Sequence, residues 1–178
     1  MIIIIGLGNP GRRFKNTPHN LGFDVIDHLR KRYHFPRFNK QEKAMVSQGS
    51  IGDQAIILAK PLTFMNESGL AATELSEYYQ VKPDQIWLIY DDADLPLGEI
   101  KIDFNRGSGG HKGVASVIDS LGTKGFYRLR LGSASTQRDN LKAFVLKPYS
   151  RYDRSRAKEM ILEAIIELER SLLNKISA

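Results

Sequence analysis

Along the chain, short apolar runs alternate with amphipathic stretches, and that alternation predicts the elements. Ile2 to Leu7 is a continuous β-rich run that stops at the turn-forming Gly8-Asn9-Pro10-Gly11, so a buried first strand is expected. Between Asn20 and Tyr33, the residues Leu21, Val25, Ile26, Leu29 and Tyr33 recur at helical spacing, with His19 or Asn20 near the start and Pro36 just past the end. Met45 to Ile51 and Ala55 to Lys60 flank Gly52-Asp53, a hairpin turn sequence. Asn66 is placed to cap a helix running to Tyr79 that carries Leu70, Leu75 and Tyr78 inward. Ile86 to Tyr90 reads as a short buried strand, Ile100 to Phe104 as another, and Tyr127 to Leu131 alternates as a third. Gly107-Ser108-Gly109-Gly110 leads into a helix from His111 to Leu121, and Ile161, Ala164, Ile165, Leu168 and Leu172 give a last helix one apolar face. Strands alternating with helices, plus one hairpin, predict an α/β fold: a single globular domain over residues 1–178 with a twisted mixed β-sheet flanked by helices.

Composition narrows the function classes. The 178 residues suit one domain with a sizeable core, without a repeat or a linker long enough to divide it. Lys plus Arg exceeds Asp plus Glu by 26 − 20 = 6, an excess that suits a polyanionic partner such as nucleic acid. The absence of cysteine excludes disulfides, thiolate catalysis and Cys-based zinc sites, and is compatible with a reducing compartment. The opening apolar run has no basic residues before it and is too short for a signal peptide or a membrane span, so a cytoplasmic location without membrane attachment is expected.

Candidate chemistry concentrates in loops. Gly6-x-Gly8-x-x-Gly11 mimics a dinucleotide fingerprint, but no helix begins within the loop and no acidic residue ends a second strand about twenty positions on. The glycines instead let the backbone turn and project Asn9. Of histidines 19, 28, 34 and 111, His28 and His34 fall within or at the end of a helix, whereas His19 lies in the loop between the first strand and the first helix. A histidine there is suited to abstract a proton from water. Asp91, at the end of a buried strand, is suited to fix its tautomer, as triad logic requires. No G-x-S-x-G elbow and no cysteine supplies a covalent nucleophile, so activated water is the simpler route. The residues leave a second route open, in which Asp91, Asp92 and Asp94 hold a metal for phosphoester chemistry. The glycine-rich turn before His111 offers N–H groups to a phosphate or a carbonyl oxygen. Basic residues cluster at 30–43, at Arg106, Lys112, Lys124, Arg128 and Arg130, and at Arg151, Arg154, Arg156 and Lys158, as a solvated face or an anion-binding one.

Six segments in order resemble the bacterial-type peptidyl-tRNA hydrolase family: GLGNPG at 6–11, TPHNLG at 17–22, KPLTFMNESG at 60–69, DDADLPLG at 91–98, GSGGHKG at 107–113 and YRLRLG at 127–132. The resemblance implies a monomeric α/β enzyme with no metal and no cofactor, acting on the acceptor end and 3′ CCA of peptidyl-tRNA. His19 matches the family's catalytic histidine and Asp91 its carboxylate partner. Asn9 and Asn66 match asparagines that orient the substrate, near Met65. His111 matches a histidine lining the cleft, and Arg130 a residue that clamps tRNA phosphate. Phe14 stands where tyrosine is usual, Pro18 where arginine is common, Lys112 where asparagine is typical and Asp103 where a clamp lysine is expected. The loop after Gly132 is shorter than the family's, which implies a shorter flap over the cleft. These departures keep open a tRNA-binding relative with reduced catalysis.

Overall fold

The computed structural model describes residues 1–134 and 145–176. Seven strands form one sheet in the order β2-β3-β4-β1-β5-β7-β6, with β1 (Ile2–Gly6), β2 (Asn39–Gln41), β3 (Ala44–Ile51), β4 (Gln54–Pro61), β5 (Ile86–Pro96), β6 (Ile100–Phe104) and β7 (Tyr127–Ala134). The inner strands β4, β1, β5 and β7 run parallel, and antiparallel strands close both edges. Among the described residues, four helices cover it: α1 (Leu21–Arg32), α2 (Ser68–Tyr79), α3 (Lys112–Leu121) and α4 (Arg151–Ile176).

Parallel strands at the centre of a sheet are covered on both faces, which explains the unbroken apolar run of β1. Ile2 and Ile4 pack with α1 and α4 residues such as Leu21, Val25, Met160 and Ala164. Ile3, Ile5 and Leu7 face the opposite core with Leu75, Val114 and Val117 of α2 and α3. Two-sided burial also removes the alternation expected of β7, where Arg128 to Ser133 are all buried. Where α1 crosses β1, no side chain intervenes. A Cβ at Gly22 would lie 2.5 Å from the Leu7 carbonyl oxygen and closer still to Leu7 N and the Ile89 carbonyl oxygen.

Several expectations need correction. Leu75 faces the core, but Leu70 (47% exposed) and Tyr78 (61%) face outward. The buried face of α2 is built instead from Ser68, Gly69, Ala71, Ala72 and Leu75. Small residues are required there because α3 lies against the helix, with Gly69 N–H donating to Ser116 Oγ at 3.0 Å. Asn66 does not cap α2. It lies in a 3₁₀ turn, Met65–Glu67, and the cap position falls to Glu67. Strand β5 runs six residues beyond Tyr90, so Asp91 sits within it rather than at its end. The short polar strand β2 carries no apolar pattern and was not expected from the sequence. Helix α4 does begin at the basic cluster Arg151 to Lys158, where the sequence places its start, and there Ser150 Oγ accepts from Asp153 N–H and donates to the Asp153 carboxylate. Among the described residues, no helix is long and apolar enough to cross a membrane.

Candidate active site

The site lies past the carboxyl end of β1 and beside the middle of β5, where the chain leaves β1 for strands on either side of it. Leu7 N–H donates to the Ile89 carbonyl at 2.8 Å, carrying the pairing one residue past β1, and the turn then delivers Asn9. Asn9 is clamped from both sides. Its N–H donates to Asn20 Oδ1 at 2.9 Å, and its carbonyl accepts from Asn20 Nδ2 at 3.0 Å. Its own Oδ1 accepts from Met65 N–H at 2.9 Å. A backbone N–H can only donate, so Asn9 must present oxygen to Met65, which leaves Nδ2 as the group available to donate elsewhere. Helical spacing places Asn20 only near the start of a helix. It does occupy the cap position of α1, yet its amide serves Asn9 instead of the helix. Two asparagines flanking a histidine loop are the pattern that points to it in retrospect.

His19 rides on a 3₁₀ turn, Pro18–Asn20, whose position is fixed from the far end of the chain. His19 N–H donates to the Val145 carbonyl at 3.0 Å, and Tyr149 N–H donates to the Asn16 carbonyl at 3.0 Å, so residues 145–149 strap the turn down. The imidazole Nδ1 lies 2.8 Å from Asp91 Oδ1, across 72 residues of sequence. His111 Nε2 approaches the same oxygen at 3.2 Å, and the two rings stand 5.1 Å apart. Asp91 is 2% exposed and His19 18% on their side chains, so the carboxylate is sealed while the imidazole reaches the surface of the cleft. Burial by itself would push the Asp91 carboxyl up. The hydrogen bonds from His111 and His19, with their charges, reverse this and hold it below the usual carboxylate range.

The neighbouring acidic residues do not join this group. Asp91 and Asp92 point to opposite faces of β5, and Asp92 accepts from Arg130 Nε at 2.7 Å and from Asp94 N–H at 2.8 Å. The three-aspartate metal arrangement is therefore not formed among the described residues, because successive strand positions such as 91 and 92 face apart. A different set has metal-like spacing: ligand atoms of His19, Asp91 and His111 all lie within 4.8 Å of one another. Arg130 also donates to Asp103 Oδ2 at 2.8 Å, so its guanidinium is buried between two carboxylates. Asp103, which stands where a clamp lysine was expected, is thus the partner that occupies it.

Of the other expected site residues, Met65 is buried beside Asn9, and Asn66 is exposed on the same turn. Phe14 is half-buried beneath the Arg13 guanidinium at 4.6 Å. Lys112 is exposed as the first residue of α3. The stretch 135–144, where a shorter flap was expected, lies outside the described residues. A separate concavity of about 440 Å³ between β6 and α4, lined by Ile100, Ile102 and Ile166 among others, shares no residue with the site.

A second perturbed carboxyl lies on α1. Asp24 is pushed up to about 6 by burial, then by the negative charge of Asp27, with His28 and Lys60 offsetting part of the effect. The folded protein therefore holds this proton more tightly than the unfolded chain, whose value is 3.8. The sign follows: Asp24 opposes folding fully above pH 6, and the penalty disappears as pH falls through 6 towards 3.8. Replacing it by the neutral isostere, Asp24→Asn, is expected to raise stability at pH 7.5 by up to ~3 kcal/mol. The gain should shrink to nothing near pH 4 in urea titrations, and equal gains at both pH values would contradict the assignment.

The whole chain matches known proteins closely. The family model described as Peptidyl-tRNA hydrolase matches residues 3–178. A peptidyl-tRNA hydrolase of Thermodesulfovibrio yellowstonii is 41% identical over 167 residues, covering 93% of this chain and 89% of its own. One from Aquifex aeolicus is 39% identical over 171 residues, covering 96% and 89%. The crystal structure of peptidyl-tRNA hydrolase from Acinetobacter baumannii superposes with a TM-score of 0.91 at 27% identity, covering 99% of this chain and 91% of that one.

Proposed function

Because the chain belongs to the peptidyl-tRNA hydrolase family and so hydrolyses the ester joining a peptide to tRNA, we propose that it does so with a water activated by His19. One observation carries this reading: His19 Nδ1 is engaged by Asp91 at 2.8 Å, which commits that nitrogen as the donor and leaves Nε2 as the base. Water bound at Nε2 attacks the ester carbonyl carbon, and its proton passes to Nε2. The tetrahedral intermediate then expels the ribose oxygen, which takes the proton from His19. The products are a free peptide acid and tRNA with a restored hydroxyl, and His19 returns to its starting form. Asp91 stabilises the imidazolium formed between the two steps. Asn9 Nδ2 is the donor we assign to the developing oxyanion, since Oδ1 is committed to Met65. Met65, Asn66, Phe14 and Lys112 are read as the surface that receives the acceptor end and its 3′ CCA. Arg130 is read as a brace of β5 rather than a phosphate ligand, given its two carboxylate partners.

The excess of six positive charges supports nonspecific attraction to tRNA, as suits an enzyme that accepts many tRNA sequences. We place the enzyme in the cytoplasm and read it as a monomer, needing no cofactor or metal. The test is hydrolysis of an N-acetyl-aminoacyl-tRNA in ¹⁸O-labelled water. The label is expected in the amino-acid carboxyl and not in the tRNA, with the same rate in EDTA. Label in the tRNA, a burst of acyl-enzyme or loss of activity in chelator would each contradict the mechanism.

A further inference from the structure

We propose that His111 is a positioning residue, locked by a helix cap in the form that always presents an N–H, and never a lone pair, to Asp91. The inference rests on the reading of His19 as the base that Asp91 orients, and it adds a third member whose protonation is set by the backbone.

His111 is the N-cap of α3. Its Nδ1 accepts from Gly113 N–H at 3.1 Å and from Val114 N–H at 3.2 Å. Two donors converging on Nδ1 require a lone pair there, so the single proton of the neutral ring sits on Nε2. Nε2 is the atom 3.2 Å from Asp91 Oδ1, and a carboxylate oxygen accepts that proton as a hydrogen bond. The opposite tautomer would turn an N–H against two backbone N–H groups and strip the cap from the helix, whose first N–H groups have no other partner inside it.

Two consequences follow. The His19, Asp91 and His111 donor atoms have the spacing of a two-histidine, one-carboxylate metal site. Ligation through His111 Nε2 would need a lone pair where the cap dictates a proton, so the cluster is built for hydrogen bonding and not for a cation. The second consequence concerns charge. Asp91 Oδ1 receives two N–H donors, one from the Pro18–Asn20 turn and one from the start of α3. Tyr149, in the strap, also faces it, and burial followed by the negative charges of Asp91, Asp24 and Asp153 keeps that phenol protonated. The Tyr90 ring, 5.0 Å from the His111 ring, walls the remaining side. At this buried position the His111 donor keeps the carboxylate ionised and its oxygen aimed at His19.

Two substitutions separate the cap from the donor. His111→Asn keeps an acceptor near the Nδ1 position and caps helices well, but its amide stops short of Asp91. His111→Gln offers an amide N–H near the Nε2 position and gives up the cap. His111→Asn is expected to fold normally and to lose kcat by about ten- to a hundredfold at unchanged KM, the effect of one hydrogen bond to a charged group. His111→Gln is expected to be less stable yet to turn over faster than His111→Asn. Long-range ¹H–¹⁵N spectra of the unmodified protein at neutral pH should put the His111 proton on Nε2 and the His19 proton on Nδ1. The His19 resonances should move in His111→Asn. A His111 proton found on Nδ1 overturns the proposal, as does wild-type turnover in His111→Asn with His19 unmoved. Activity that follows the cap, present in Asn and absent in Gln, would reduce His111 to a structural role. His19→Ala run alongside keeps the two readings apart: full activity there would remove the base, whereas the His111 tautomer is read without any turnover.

Discussion

His19→Ala is expected to lower kcat for peptide release by about 10²–10⁴-fold, the range of a general base, while the protein remains folded. The asymmetry between the two outcomes comes from how the residue is held. Its backbone N–H is pinned to the Val145 carbonyl and the turn after it is bound to Asn9 through Asn20, none of which involves the imidazole. The side chain contributes one hydrogen bond to a carboxylate that keeps a second donor from His111. Its removal should therefore cost stability on the order of 1–3 kcal/mol, the range for leaving a buried polar group short of a partner. Circular dichroism and urea midpoints would record the fold, and release of labelled acid from N-acetyl-aminoacyl-tRNA would record the rate. A variant retaining a tenth or more of the rate would remove His19 from the chemistry.

The largest structural effect is expected at a residue that touches no substrate. Gly22→Ala should destabilise the protein by at least about 4 kcal/mol, beyond ordinary overpacking, because the atoms in the way are backbone. The Leu7 N and carbonyl oxygen and the Ile89 carbonyl oxygen all crowd the added methyl, and Leu7 N–H to Ile89 carbonyl is the bond that carries the pairing past β1. Against a typical total of about 5–15 kcal/mol, little folded protein would remain. Gly107→Ala is the matched control, since nothing lies within 4 Å of its added carbon. It should leave the urea midpoint within about 0.5 kcal/mol of the original. If Gly22→Ala unfolds at the same urea concentration as that control, the close approach of α1 to β1 has been misread.

What could be read beforehand was set by how local the cause is. The apolar run of β1 and the stripe of α4 declare themselves, since burial imposes a period on the side chains that create it. The inward face of α2 does not, because its orientation is decided by α3, whose Ser116 must come within bonding distance of Gly69. Hydropathy favours Leu70 and Tyr78, and close packing favours the glycine and alanines. The same distinction runs through the site. His19 and Asp91 were legible from their residue types and their places at a loop and a strand. The partnership of Asp91 with His111 depends on a helix N-terminus arriving beside β5, and no spacing in the sequence encodes it. Arg130 reads as a free cation until the antiparallel register of β6 and β7 sets Asp103 within its reach, while Asp92 closes on it from β5. Charge counts omit such pairings.

The strap across the His19 turn also sets a schedule for the enzyme's own synthesis. The imidazole and its carboxylate, on His19 and Asp91, are both translated before the carbonyl of Val145 and the amide of Tyr149 that fasten the turn. A growing chain that already holds both residues therefore still lacks the strap until Tyr149 has been added. In a protein that hydrolyses peptidyl-tRNA, the fastening of the His19 turn is thus the last part of this cluster to be made.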